Sequence, residues 1–238
     1  MSKKKWLLLF ALVIVLGVMA VAVLFIGFLM LPMGRPADLL LPVYTMEQTD
    51  SSHPGYRRTT ITSGTNVYVN DYEESALVVF GSDPTNAVGR TPVSGETFCT
   101  IRGQKANTYL VHEGEMGPEG VYRNIHEPPF PFRTATFQKM EFAAPDGPAA
   151  HKQTTDPTLI ADAVSTLRDG KPSKPSSYVP GSYTNTYGLY LYSDQLPGII
   201  YCAGVYMDHI GPVYLSENAA STRWIQASPR FAIWSQTR

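Results

Sequence analysis

The sequence is short of charge: 16% of its 238 residues are Asp, Glu, Lys or Arg, against roughly 25% in soluble domains. It has neither a Gly-X-Y period nor a sustained heptad pattern, which excludes a collagen or coiled-coil chain. Only one apolar stretch is long enough to cross a bilayer, which excludes a polytopic channel or transporter. Disorder as the main state is excluded by an aromatic content of 11% and a net charge of −1. Basic clusters are missing as well. Residues 36–238 carry 15 Lys and Arg against 20 Asp and Glu, and no basic run exceeds Arg57-Arg58. No nucleic-acid partner is expected, because phosphate binding needs concentrated positive charge.

Catalytic signatures are also absent. The chain has no Gly-x-Ser-x-Gly elbow, no Ser-x-x-Lys box and no His-Glu-x-x-His helix. His112-Glu113 and His126-Glu127 begin the last pattern, but no second His follows at helical spacing, and Pro128-Pro129 forbids a helix after His126. No phosphate-cradling glycine loop follows a strand-like run. A metal set would have to assemble from His112, Glu113, Glu115 and a distant partner, and there is no Asp-x-Asp-x-Asp-Gly series for calcium. The expectation is therefore no cofactor, no metal and no catalytic residue.

What is present begins with Trp6 to Leu31, a run without charge. At roughly 1.5 Å per helical residue it exceeds a ~30 Å hydrocarbon core. Lys3, Lys4 and Lys5 precede it and a single Arg35 follows, so the positive-inside bias places the N-terminus in the cytoplasm. The Ala20-Val21-Ala22 site of a cleavable signal is the rival reading, but the apolar run continues nine residues past it, longer than a signal core. The organisation expected is a cytoplasmic basic tip at 1–5, a single-pass membrane anchor at 6–32, a Pro/Ser-punctuated extended tether at 33–56 and a β-rich extracytoplasmic domain at 57–238. The lipid bilayer is then the first partner, reached through the N-terminal helix.

Within 57–238, short β-branched or alternating runs separated by turn residues predict strands near 58–62, 66–69, 76–80, 98–101, 108–112, 120–122, 133–142, 187–192, 199–207, 213–215 and 223–227. One amphipathic helix is predicted at about 157–169. Asp156 is its N-cap and Pro157 its first residue; Leu159, Ile160, Ala163, Val164 and Leu167 share one face, and Gly170 would close it in a left-handed cap. The fold class expected is mainly-β or α+β: an antiparallel sandwich or curled sheet with one packed helix.

Seven of the fourteen tyrosines lie from residue 183 onward. Tyr190, Tyr192, Tyr201, Tyr206 and Tyr214, with Asp208 and His209 at a turn, form the candidate binding surface for a protein or glycan. The same tyrosines also fit a residue type that favours half-buried strands. Cys99 and Cys202 both sit in apolar strand contexts, as a candidate disulfide or as two buried thiols. The functional expectation is a membrane-anchored, non-catalytic binding, sensing or accessory module of the cell envelope. The alternatives are an envelope-modifying hydrolase or cysteine transpeptidase, for which Thr97-Phe98-Cys99, Arg102 and His53 would be the material, and a structural subunit of a membrane complex.

Overall fold

The computed structural model describes residues 40–79, 86–92, 96–105, 107–114, 117–143, 152–173, 175, 185–207, 211–218 and 223–237, together with Met19. The expected membrane anchor at 6–32 lies outside them apart from Met19. Among the described residues no helix is long and apolar enough to cross a membrane.

In chain order the strands are β1 Thr45–Asp50, β2 Arg57–Ser63, β3 Asn66–Asn70, β4 Leu77–Val78, β5 Ala87–Arg90, β6 Thr97–Thr100, β7 Tyr109–Gly114, β8 Gly117–Asn124, β9 Lys139–Ala143, β10 Lys152–Thr154, β11 Thr186–Tyr192, β12 Ile200–Met207, β13 Val213–Ser216 and β14 Ile225–Gln226. Helix α1 is Pro157–Asp169 and helix α2 is Pro229–Gln236. The strands form two antiparallel sheets. The first has the order β1-β2-β3-β8-β7-β6-β5; the second runs β10-β9-β11-β12-β13-β14, with β4 paired to β12.

The first sheet curls into a half-barrel. Alternation along its strands sends Ile61, Tyr68, Phe98, Leu110 and Tyr122 to the concave side, all buried. Their chain neighbours Cys99, Val111 and Val121 point the other way, into the larger core shared with the second sheet and helix α1. The chain entering β1 closes the curl. Tyr44 N–H donates to Arg90 C=O at 2.9 Å, and Arg90 N–H donates to Pro42 C=O at 3.0 Å. The Tyr44 ring then plugs the concave core, 5.3 Å from the Phe98 ring and 6.2 Å from that of Tyr68. Gly89 makes this possible, because a Cβ there would lie 2.1 Å from Tyr44 Cε2.

The segment expected to be a tether is therefore part of the fold from about residue 42. Six residues of it form β1, in register with β2 from Thr45↔Thr62 to Asp50↔Arg57. Every β1 side chain is exposed, so the hydrophobic pattern carries no strand signal; backbone pairing holds the strand.

Helix α1 has the predicted bounds. Asp156 Oδ1 accepts from Thr158 N–H at 2.9 Å and from Leu159 N–H at 3.4 Å. Its C-terminus differs from expectation: Gly170 is extended, at φ −67° and ψ 146°. Glycine is required there by close approach, since a Cβ would sit 2.2 Å from Ile225 Cγ2. A second helix, α2 at Pro229–Gln236, follows the last of the expected strands. Ser228 caps it by accepting from Phe231 N–H at 3.1 Å, with Pro229 in its first turn. The Ser228 hydroxyl also donates to Asp162 of α1, tying the two helices together. The strand expected at 133–142 is confined to 139–143. Residues before it turn instead, with Thr134 and Ala135 N–H both donating to Pro131 C=O at 2.9 Å.

Between the two sheets, a 3-10 turn at Glu74–Ala76 leads from β3 into β4. Glu74 is 1% exposed, and Arg123 Nε of β8 donates to its Oε1 at 2.5 Å. The other carboxylate oxygen accepts from Asp71 N–H at 3.1 Å. This buried pair fixes the 71–76 segment against the half-barrel.

If Tyr44 is a structural plug rather than part of a loose tether, Tyr44→Ala lowers unfolding free energy by about 3 kcal/mol, the usual cost of deleting a buried aromatic. Exposed Met46→Ala, two residues on, changes it by less than about 0.5 kcal/mol. Urea unfolding of the detergent-solubilised full chain measures both. Equal, negligible effects would return the segment to a tether.

Candidate functional site

A cleft of about 450 Å³ opens where the half-barrel meets the second sheet. Six segments of the chain line it. His53 comes from the β1–β2 turn, with Tyr72, Glu73 and Ala76 from the segment held by Glu74. Pro129 to Arg133 come from the β8–β9 loop. Arg168 of α1, Tyr201 of β12 and Glu217-Asn218 beyond β13 complete it.

The loop is apolar because it is Pro-Pro-Phe-Pro-Phe, and prolines stiffen it. Arg168 supplies the hydrogen bonds that strands would otherwise give. Its Nε donates to Phe132 C=O at 2.9 Å, and its Nη2 donates to Phe132 C=O at 2.5 Å and to Ala135 C=O at 2.6 Å. Arg133 Nη1 donates back to Arg168 C=O at 3.2 Å. Phe132 stacks on Tyr201 with centroids 4.2 Å apart and planes 11° from parallel, and the Arg168 guanidinium lies 5.3 Å from the Phe132 centroid. The Tyr201 hydroxyl donates to Glu217 C=O at 2.6 Å. Burial, then the Glu217 charge, pushes its pKa well above the ordinary phenol value, so it remains a neutral donor.

On the half-barrel side the rings of His53 and Tyr72 stack at 4.2 Å and 14°, with Tyr56 edge-on to Tyr72 at 5.8 Å. Asn218 reaches across to the same segment, donating from Nδ2 to the Ser75 hydroxyl. The rim therefore carries both signs of charge, Glu73 and Glu217 against Arg133, over an aromatic floor.

The tyrosines singled out by sequence are not one surface. Tyr201 faces the shared core and the cleft. Tyr190, Tyr192 and Tyr206 point to the opposite face of the second sheet, as the register Tyr190↔Cys202, Tyr192↔Ile200 and Tyr206↔Tyr214 requires. There Tyr206 and Tyr214 are buried with Trp224 in a small cluster of their own. Tyr192 donates to Glu141, whose Oε1 lies 2.5 Å from Lys139 Nζ, and Lys139 sits 4.8 Å over the Tyr192 ring. Burial and this carboxylate raise the Tyr192 pKa. Asp208 and His209 lie outside the described residues. Of the expected surface, Tyr201 alone among the described residues lines the cleft; His53, Tyr72, Phe132 and Arg168 were not singled out for it. A Pro-Phe-Pro-Phe-Arg sequence following a strand was the available signal.

The cysteines occupy different faces. Cys99 is a buried thiol pointing into the shared core from the first sheet. Cys202 lies on the outer face of the second, paired with Tyr190, one residue out of phase with the core-facing Tyr201 and Ala203. No disulfide joins them, and side-chain alternation is the reason. Burial pushes the Cys202 thiol up to about 11, which is opposite to what a nucleophilic cysteine needs. His112, expected as metal-ligating material, is buried beside Phe98 at 4.9 Å, with Nε2 3.3 Å from Glu96 Oε2.

No family model matches this chain, and no curated protein and no solved structure shows significant similarity to it.

With its pKa pushed up by burial, the Cys202 side chain is overwhelmingly the thiol at pH 7.5. In the native full chain neither cysteine should react with a maleimide within minutes; 6 M guanidinium without reductant should expose both. A requirement for reductant would reinstate the disulfide. The sign of the linkage follows: an acid whose folded pKa lies above its unfolded value keeps its proton longer in the fold. Cys202 therefore costs stability as pH rises from about 9 to about 11, and Cys202→Ala removes that part of the alkaline loss.

Proposed function

We propose that the protein is a single-pass, membrane-tethered, non-catalytic binding module of the cell envelope, with its N-terminus in the cytoplasm and its β-rich domain outside. The cleft at the junction of the two sheets is its binding site. The observation that carries this reading is the cleft: about 450 Å³ of concave space, walled by stacked aromatic pairs and rimmed by charges of both signs. That composition fits small-ligand and peptide sites, where apolar walls supply area and a few polar groups fix orientation. The ligand class is an extended peptide or glycan segment presented outside the membrane.

Two features favour binding over the enzymatic alternatives. The cleft's described lining carries no serine, threonine or cysteine nucleophile. The Cys202 thiol is held protonated on the far face of the second sheet, which argues against transpeptidase chemistry.

In intact cells, a photo-crosslinking residue in Arg133→p-benzoylphenylalanine should yield a discrete adduct with an envelope component. Adding Phe132→Ala should abolish it. The same residue in Tyr190→p-benzoylphenylalanine, on the outer tyrosine face, should yield none. An adduct from position 190 with none from 133 would move the binding surface to the tyrosine face. Absence of adducts at both would remove the binding reading.

A further inference from the structure

At the mouth of the cleft, one imidazole nitrogen of His53 and one carboxylate oxygen each of Asp71 and Glu73 lie within 4.8 Å of one another. Two of the three, His53 and Glu73, also line the cleft. These residues are 18 and 20 positions apart in sequence, so no ligand-spacing motif announces them. They meet because the β1–β2 turn lies beside the segment anchored by Glu74.

The cluster is organised from behind. The Ser51 hydroxyl accepts from His53 N–H at 3.1 Å and donates to Asp71 Oδ1. Asp71 Oδ1 also accepts from Tyr72 N–H at 2.8 Å. That oxygen is occupied, which leaves Oδ2 as the ligand atom. The His53 ring is fixed by its stacking on Tyr72. Its Nδ1 is shielded from solvent and has no hydrogen-bond partner among the described residues. A buried imidazole nitrogen is ordinarily satisfied. An imidazole that has an unpaired buried nitrogen and lies beside two carboxylates is an arrangement a cation resolves: it accepts a nitrogen lone pair and neutralises the paired acids. A serine that orients both a histidine backbone and a ligand carboxylate acts as the outer hydrogen-bond layer that metal centres need.

We propose that His53, Asp71 and Glu73 form a divalent transition-metal site, zinc by preference. One nitrogen and two oxygens suit zinc, whereas calcium takes six to eight oxygens. Zinc bonds near 2.0–2.2 Å place ligand atoms roughly 3.3 Å apart. The cluster therefore needs to tighten by at most about 1.5 Å from its 4.8 Å limit, and the exposed Glu73 side chain has the freedom to contribute to that motion. Three protein ligands would leave a fourth position open beside the cleft that His53 and Glu73 line. There the ion would take a carboxylate or other anionic group of the ligand. This last role rests on the cleft being the binding site; the metal site itself does not. The opposing charge is Arg58, whose Nε is 4.0 Å from Asp71 Oδ2 and which is half exposed.

The test is zinc titration by isothermal calorimetry on the tagless, detergent-solubilised full chain, with equilibrium-dialysed metal counted by mass spectrometry. The expected result is one zinc per chain. His53→Ala should weaken binding at least about 100-fold, and Ser51→Ala should weaken it about 10-fold. Arg58→Gln should tighten it several-fold, an effect that misfolding cannot mimic. Calcium should bind far more weakly. A zinc stoichiometry unchanged by His53→Ala, or no binding below millimolar zinc, overturns the site. The crosslink at position 133 is read separately, with and without added zinc. A metal site that leaves that crosslink unaffected overturns only the ligand-bridging role.

Discussion

The buried Glu74–Arg123 pair is the joint on which the rest of this molecule turns. Arg123 belongs to β8 in the middle of the half-barrel, and Glu74 begins the short turn that carries the chain out of that sheet and into β4, on the second. Bringing both charges out of water costs several kcal/mol per ion, and only good geometry returns it. The geometry is good here: one carboxylate oxygen meets the guanidinium, the other accepts the Asp71 amide, and Arg123 also donates to Glu127 C=O at 2.5 Å. Hydrophobic burial could hold the two sheets together at many relative positions. A directional ion pair holds the connecting segment in one, and that segment supplies Asp71, Tyr72, Glu73 and Ala76 to the cleft region. The pair's contribution is thus specificity of placement more than stability.

A second joint does similar work on the facing wall. Arg168 is the last basic residue of an ordinary amphipathic helix, yet it spends three donor contacts on carbonyls of the Phe-Pro-Phe loop. Desolvation lowers its pKa, and a guanidinium is the side chain that keeps its charge in such a setting. One wall of the cleft is therefore organised by a buried carboxylate and the other by a partly buried guanidinium. Each replaces backbone pairing that proline and turn geometry deny.

What the sequence revealed follows from how local each signal is. Helix α1 was legible to the residue because its start signal, Asp156-Pro157, and its apolar stripe are contained in thirteen positions. Helix α2 carries the same signature in Ser228-Pro229, but eight residues are too few for a stripe to stand out. The alternating strands β11 and β12 were visible for the same local reason. Strand β1 was not, because its side chains are all exposed and only its backbone is paired. A curled sheet was one of the two expected forms, but the seam that closes it was hidden: it depends on Gly89 and Tyr44, 45 positions apart, coming within a ring's thickness of each other. Tyr201 was grouped with the other tyrosines because strand phase is not visible without the pairing: it sits one residue out of step with Tyr190 and Tyr192 across the register.

The plugged seam also changes what an N-terminal anchor would mean mechanically. On the proposed reading, an anchor bounded at residue 32 would be joined to the fold, which begins near 42, by about ten residues, a span of at most ~35 Å fully extended. The attachment point is Tyr44, inside the concave core, rather than a loose terminus. Tension on the leash would be delivered to the Tyr44–Arg90 hydrogen bond and the half-barrel's closure. The strand that begins there, β1, ends one residue before Ser51 and three before His53, the residues that organise the proposed cation site. The closing seam and the mouth of the cleft are thus opposite ends of a single exposed strand of six residues. A displacement at the membrane end travels along β1 with little to absorb it, because an extended strand paired along its whole length is stiff in that direction. If the proposed anchor is present, the cleft would be mechanically continuous with it, and a tethered binding module would have a physical path for coupling what it holds to where it is held.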